Sequence, residues 1–227
     1  MAISLAIRNT LFMNSKTINV LLVDDHELVR SGIEYLLNAD PDITVTAVAS
    51  SGEEAIDLAE RLQPDVILMD LNMPGIGGSI ATKHIVKQTP NAKIIALSVY
   101  DDGPIPHQAI QFGAKGYINK GCPVEEMIKA IMMVYQGKNY LSSAVATNLM
   151  FNSQEPEKDL FSHLSSRELQ IVVKIVDGHK IPDIADALAI SPKTVNTHRY
   201  RVHEKLGINN DIELVRLALD HGLLKNI

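Results

Sequence analysis

Apolar runs of strand length alternate five times with amphipathic helical patterns between residues 18 and 138, and this alternation restricts the possible folds more than any other feature. The runs are Ile18–Val23, Ile43–Ala49, Val66–Met69, Lys93–Ser98 and Gly116–Asn119. Continuous apolar runs are typical of strands that are buried on both faces of a parallel sheet. Right-handed crossovers then place every strand end on one rim, so the pattern predicts a doubly wound α/β domain of (βα)5 type.

Polar side chains stand where these predicted strands end. Asp24 and Asp25 follow the first strand, Asp70 ends the third, Ser98 ends the fourth and Lys120 follows the fifth. Three carboxylates on one rim repel each other, and a hard divalent cation with oxygen ligands would hold them together, which favours Mg²⁺. Asp70 could then attack a phosphoryl group, while Ser98 and Lys120 contact its oxygens.

Each of these residues also has an ordinary interpretation when it is considered alone. Asp70 could simply begin a turn, as aspartate often does. Ser98 could be a strand-end hydroxyl, and Tyr117 a half-buried aromatic side chain. His26 follows the acidic pair without a second histidine at ligand spacing, which favours a solvated helix start over a metal ligand.

Composition excludes several classes of protein. No apolar run approaches the ~20 residues that cross a bilayer, and Met1–Thr17 lacks the apolar core of a secretory signal, so we expect a cytoplasmic protein without a membrane segment. Residues 1–17 are predicted to be a flexible extension, and Met13 is an alternative start. The single cysteine, Cys122, cannot form an internal disulfide and argues against a cysteine-based zinc site.

A second domain is predicted after a linker at residues 139–161, which contains the polar run QEPEKD and a possible short helix at Ala144–Met150. Ser165 and Glu168 form an S-x-x-E capping box that opens a helix in this domain, which we place at residues 162–227. A short helix at Pro182–Leu188 and a tight turn then precede a longer helix over Thr194–Leu206. This arrangement predicts an all-α helix-turn-helix unit whose second helix enters the major groove of DNA.

The longer helix carries a local basic face although the whole chain has a formal net charge of −6. Val195, Val202 and Leu206 are expected to face the core. The predicted DNA contacts are Lys193, Thr194, Asn196, Thr197, Tyr200 and Arg201. Asparagine and threonine can contact base edges, and lysine and arginine can hold phosphates. The alternative is a solvated amphipathic helix with an ordinary polar face.

Residues 18–138 resemble the receiver domain of bacterial two-component response regulators, in which the acidic pair, the phosphoacceptor aspartate, the hydroxyl residue and the lysine follow the strands in this order. The resemblance implies that Asp70 accepts a phosphoryl group from a sensor histidine kinase. It implies that Ser98 and Tyr117 form a switch pair, in which Tyr117 turns inward from an exposed position. The implied Mg²⁺ ligands are Asp24, Asp25, Asp70 and the main-chain carbonyl of Asn72.

The run LSSRELQIVVKIVDGHKIPDIADALAISPKTVNTHRYRVHEKLGI resembles the four-helix DNA-binding domain of NarL/FixJ/LuxR-type regulators, and SPKTVNTHRYRVHEKL is most similar to the GacA/UvrY/LetA subgroup. Two residues depart from the family pattern. Ser165 replaces the commoner threonine and can still cap a helix, whereas Lys180 stands where the family usually has a capping serine and cannot cap.

The resemblance implies a phosphorylation-controlled transcription factor that binds promoter DNA as a homodimer and is not an enzyme beyond its own phosphorylation and dephosphorylation. Regulators of this subgroup respond to a BarA-like hybrid kinase and activate genes for small RNAs. Two alternatives stay open at this point. One is a phosphatase that uses Asp70 as nucleophile, although Asn72 stands where a general acid would be needed. The other is a DNA-binding regulator whose receiver works without phosphorylation.

Overall fold

Six parallel strands form one sheet in the order β2-β1-β3-β4-β5-β6. The computed structural model describes residues 17–102, 104–152, 160–161, 163–220 and 223. The strands are β1 (Ile18–Val23), β2 (Ile43–Ala49), β3 (Val66–Asp70), β4 (Ile94–Ser98), β5 (Gly116–Asn119) and β6 (Tyr140–Leu141). The predicted doubly wound α/β fold is therefore confirmed, and the predicted extension at residues 1–17 lies outside the described residues except for Thr17.

Helices alternate with the strands and then continue alone. Six helices belong to the sheet-containing part: α1 (Glu27–Leu37), α2 (Gly52–Leu62), α3 (Gly77–Gln88), α4 (Pro104–Gln111), α5 (Val124–Tyr135) and α6 (Ser143–Asn152). Four more form the second part: α7 (Ser166–Val176), α8 (Ile181–Ala187), α9 (Pro192–Leu206) and α10 (Asp211–Asp220). This order matches the predicted architecture of a (βα)5 domain followed by an all-α domain.

The sheet is covered on both faces, because successive strand side chains point in opposite directions. Leu22 of β1 packs in a cluster with Ile33 of α1 and Ile131 of α5. Leu21 points the other way and packs with Ala55 of α2 and Ile85 of α3. Burial on both faces explains why the strands are nearly continuous in apolar residues, and it leaves only the strand ends for polar side chains.

The sixth strand was not predicted, because it lies in the segment interpreted as linker. Tyr140 and Leu141 pair with Gly116 and Tyr117 of β5, so β5 is an internal strand of the sheet. Helix α6 includes the short helix predicted at Ala144–Met150. Residues 153–159 of the predicted linker lie outside the described residues.

The second part is a helical unit whose helix starts follow the predicted capping chemistry. Ser165 and Glu168 form the expected reciprocal capping box at the start of α7. Lys180 makes no side-chain cap to α8, as its chemistry predicts. Ser191 caps α9 by accepting a hydrogen bond from the main-chain N–H of Thr194, and Pro192 is the first residue of the helix, as an N-cap serine followed by proline predicts. Within the part of the chain that the structure describes, no helix is long and apolar enough to span a membrane.

Candidate functional site

Three carboxylates meet at the carboxyl end of the sheet, as the order of the strands predicts. Asp24 and Asp70 are fully buried, and the side chain of Asp25 is 23% exposed. Ligand atoms of these three residues and of His26 all lie within 4.8 Å of one another. His26 is 65% exposed and its Nδ1 lies 2.9 Å from Oδ1 of Asp25, so it is a solvated helix start that nevertheless borders the acidic group.

Lys120 joins this group from the end of β5. Its Nζ lies 2.6 Å from Oδ2 of Asp70 and 2.9 Å from Oδ2 of Asp24. Burial lowers the pKa of Lys120, but the charges and hydrogen bonds of Asp70 and Asp24 outweigh this effect and raise it, so the ammonium group keeps its proton. One lysine thus balances part of the charge of two buried carboxylates.

The carboxyl group of Asp70 is poised between its charged and neutral forms. Burial raises its pKa to about 6, against the opposing effects of Lys120 and of the main-chain N–H of Asn72, which donates to Oδ1 at 2.9 Å. Buried carboxylates that one lysine only partly compensates favour a further cation. The donor set of hard oxygens fits Mg²⁺, so the residues present are compatible with the predicted ion.

The predicted switch residues lie next to one another, but the expected exposed position of Tyr117 is wrong. Tyr117 is fully buried, because β6 pairs with β5 and α6 packs in the same apolar cluster as Tyr117. Its hydroxyl donates a hydrogen bond to the main-chain oxygen of Tyr100. Burial raises the pKa of Tyr117, although a hydrogen bond with Ser98 opposes the effect. Ser98 also accepts from the main-chain N–H of Tyr100 at 3.1 Å.

Helix α9 presents the predicted DNA contacts on its open side. Lys193, Thr197, Tyr200 and Arg201 are exposed, and Thr194 and Asn196 are partly exposed. The opposite side is buried at Val195, Val202 and Leu206, as expected. Thr197 Oγ1 donates to the main-chain oxygen of Lys193, and Asn196 Nδ2 donates to that of Pro192, so both side chains are held against their own helix. Their remaining lone pairs are available to a nucleic acid.

Arg199, which also lies on α9, forms an ion pair within the protein, and the sequence pattern did not reveal this pairing. Arg199 Nε lies 2.7 Å from Oδ1 of Asp211, and His203 Nε2 contacts the same oxygen at 3.1 Å. Asp211 comes from the first turn of α10, and no local pattern pairs it with α9. Arg201, by contrast, is exposed and has no ion pair among the described residues.

Two family models match the chain in the order of its two parts. The model described as the response regulator receiver domain matches residues 20–132, and the model described as bacterial regulatory proteins of the luxR family matches residues 162–218. The chain belongs to the LuxR-type two-component response regulators. It is 47% identical to the response regulator UvrY of Escherichia coli strain K12 over 91% of this chain and 95% of UvrY.

Further relatives span this response regulator over nearly its whole length. It is 44% identical to the response regulator GacA of Pseudomonas aeruginosa over 91% of this chain and 98% of GacA. Among solved structures, RcsB of Salmonella enterica serovar Typhimurium, bound to a promoter in the presence of the phosphomimetic BeF3−, matches with a TM-score of 0.61. The identity to RcsB is 26%, and the match covers 89% of this chain and 98% of RcsB.

Proposed function

We propose that this response regulator is phosphorylated on Asp70 by a sensor histidine kinase, and that phosphorylation controls its binding to specific promoter sites. The receiver in this proposal spans residues 18–138 and the DNA-binding domain residues 162–227. The observation that carries it is the buried Asp70 carboxylate, whose Oδ2 lies 2.6 Å from Lys120 at the rim where Asp24 and Asp25 converge.

The chemistry that this arrangement supports is phosphoryl transfer to a carboxylate. An oxygen of Asp70 attacks the phosphorus atom of a phosphohistidine, an acyl-phosphate bond forms, the P–N bond breaks and the imidazole leaves. Lys120 would neutralise charge on the phosphoryl oxygens, and the hydroxyl of Ser98 would move toward one of them and donate to it. No general acid stands two residues beyond Asp70, since Asn72 is an amide, and this favours a stored phosphoryl group over a turnover phosphatase.

Mg²⁺ would be held by Asp24, Asp25, Asp70 and the main-chain carbonyl of Asn72, and it would neutralise phosphoryl charge when bound. The three carboxylates then have two tasks. They hold the cation, and Asp70 must also keep one oxygen open toward the phosphodonor. The pairing of Lys120 with Asp24 and Asp70 keeps these carboxylates together before a cation arrives.

The DNA-binding part of the proposal rests on the exposed face of α9. Asn196 and Thr197 would contact base edges. The remaining predicted contacts would bind the sugar–phosphate backbone of the DNA and hold the helix in position: Lys193, Thr194, Tyr200 and Arg201. From the resemblance to the GacA/UvrY/LetA subgroup we also propose a BarA-like kinase as the phosphodonor and small-RNA genes as targets. We further propose that the protein acts in the cytoplasm and forms a homodimer on phosphorylation, with its two α9 helices one helical turn apart on DNA.

The test is to incubate the purified protein with Mg²⁺ and a small phosphodonor, and to follow phosphate incorporation and DNA binding together. Asp70→Asn should abolish labelling, because an amide of nearly equal shape cannot form the acyl phosphate. Asp57→Asn is the matched control, since Asp57 is exposed on α2 and no described hydrogen bond or ion pair joins it to the rim. It should label like the wild type.

Two results would contradict the proposal in different ways. Full labelling of Asp70→Asn would remove Asp70 as the phosphoacceptor. Labelling that leaves promoter binding unchanged would instead favour the alternative of a DNA-binding regulator whose receiver does not use phosphorylation. Asp25→Asn should raise the Mg²⁺ concentration needed for labelling, and a failure of excess Mg²⁺ to restore labelling would contradict the metal assignment.

A further inference from the structure

Helix α7 of the DNA-binding domain contacts the two loops that follow β3 and β4, the loops adjacent to Asp70 and Ser98. Gln170 Nε2 lies 3.4 Å from the main-chain oxygen of Leu71, the residue after Asp70. Tyr100 Oη donates to Oδ2 of Asp177 at 2.9 Å. These two pairs are named the rim contact below.

The rim contact borders a cleft that residues of both domains line. Leu71 and Ile105 line the cleft from the receiver side, and Leu169, Val173 and Leu188 line it from the other side. The backbone at Gly77 approaches the Gln170 amide so closely that a Cβ there would lie 2.6 Å from Nε2. Gly77 also has a φ of +72°, a conformation that favours glycine.

Tyr100 links this contact to the predicted switch residues. Its main-chain N–H donates to Ser98 Oγ, and its main-chain oxygen accepts from the Tyr117 hydroxyl. Its side chain then reaches Asp177 in the other domain. Burial and the bond to Asp177 both raise the pKa of Tyr100, so its hydroxyl keeps the proton that it donates. The chain of bonds therefore runs from Ser98 to the DNA-binding domain through one residue.

The rim contact leaves the DNA-binding surface open. Its two residues on the DNA-binding domain are Gln170 of α7 and Asp177, which directly follows α7. The side chains of α9 that are predicted to bind DNA stay exposed: Lys193, Thr197, Tyr200 and Arg201. A receiver that controlled DNA binding by covering α9 would bury these side chains. The contact therefore lies against the loops after β3 and β4 and does not cover the DNA-binding helix.

We propose that the DNA-binding domain slows phosphorylation of Asp70 by holding the switch loop through the Tyr100–Asp177 hydrogen bond, with Gln170 as a second positioning residue on the loop after Asp70. This inference rests on the proposed function of the rim. Ser98 must move toward a phosphoryl group on Asp70 in order to donate to it. That movement disturbs the hydrogen bond that Ser98 accepts from the main-chain N–H of Tyr100. At equilibrium, phosphorylation weakens the rim contact by the same factor by which the rim contact disfavours the phosphorylated form. The effect on the labelling rate is a separate quantity, which the test measures directly.

The test compares initial rates of labelling by a small phosphodonor with Mg²⁺ in the full-length chain. Tyr100→Phe removes the donor and keeps the ring, and Asp177→Ala removes the acceptor at an exposed helix end. Each should speed labelling about 2- to 10-fold, as expected when a single hydrogen bond is lost. The double variant should label no faster than the faster single variant. Asp186→Ala, which removes an exposed acid of α8 that no described contact joins to the receiver, should label at the wild-type rate.

A second measurement separates this mechanism from masking of α9. Unphosphorylated Asp177→Ala should bind a single half-site as the wild type does, since α9 is exposed in both. The inference would be overturned if Tyr100→Phe or Asp177→Ala were labelled at the wild-type rate. It would also be overturned if the two rate increases multiplied in the double variant, or if Asp186→Ala were labelled as fast as Asp177→Ala. If the wild-type protein were still labelled at Asp70, each of these results would contradict only the inference and leave the proposed function standing. Labelling of Asp70→Asn would instead contradict the proposed function itself.

Discussion

Of two arginines that lie two residues apart on α9, only one should contribute to DNA binding. Arg201 is exposed and unpaired among the described residues, whereas Arg199 is bound to Asp211 at 2.7 Å. We expect Arg201→Ala to remove one phosphate contact from each half-site. Arg199→Ala should leave the phosphate contacts intact and should lower the stability of the DNA-binding domain instead, by about 0.5 to 1 kcal/mol for a partly exposed ion pair.

The magnitude for Arg201→Ala follows from counterion release. Each phosphate contact contributes about 0.9 to the slope of the logarithm of the binding constant against the logarithm of the salt concentration. A fourfold rise in salt, from about 50 to about 200 mM, therefore costs about 3.5-fold in affinity for each contact, and about 12-fold for the two contacts of a dimer on a two-fold site. Arg201→Ala should make the slope shallower by about 1.8 on that site.

The assay is fluorescence anisotropy with a labelled duplex at four or more salt concentrations, for the wild type and both variants. Thermal unfolding of the same samples reports the expected loss of stability in Arg199→Ala. A slope that Arg201→Ala leaves unchanged would contradict its phosphate contact. If Arg199→Ala flattened the slope as much as Arg201→Ala, Arg199 would leave Asp211 when DNA binds, and exposure in the free protein would be a poor guide to DNA contacts on this helix.

Three further predictions concern single residues. Asn196→Ala should cost about 1 to 3 kcal/mol at the preferred site and relax base preference, and equal losses on random DNA would contradict a base contact. Burial raises the pKa of Glu168, but bonds from Lys205 and Ser165 outweigh it and lower the pKa. Glu168→Gln should therefore cost about 1 kcal/mol in urea unfolding at pH 7, and the difference should vanish as the pH falls from about 4.3 through the lowered pKa; a constant difference would exclude the ion pair as its cause. Gly78→Ala should abolish phosphorylation and destabilise the fold, since its Cβ would lie 1.8 Å from the main-chain oxygen of Asp70, the proposed phosphoacceptor. Gly32→Ala, whose Cβ would have no atom within 4 Å, should be harmless to both.

The sequence alone determined the first five strands, most of the described helices and the residues of the acidic rim. Apolar runs of strand length, helical periodicity and capping pairs such as Ser165 with Glu168 are local signals, and each depends on residues a few positions apart. The rim also follows from sequence, because parallel strands with right-handed crossovers must bring Asp24, Asp70 and Lys120 to one edge. The structure adds that Lys120 contacts both carboxylates.

Only the tertiary structure decided which side chains are occupied by distant partners. Tyr117 is buried because two residues of the predicted linker add a strand beside β5, and no periodic pattern can form over two residues. Arg199 and Arg201 look alike in the sequence, and the approach of α10 alone distinguishes them. Gln170 meets Leu71 across 99 residues of chain. Local patterns report burial and turn chemistry, whereas such pairings depend on how complete elements pack against one another.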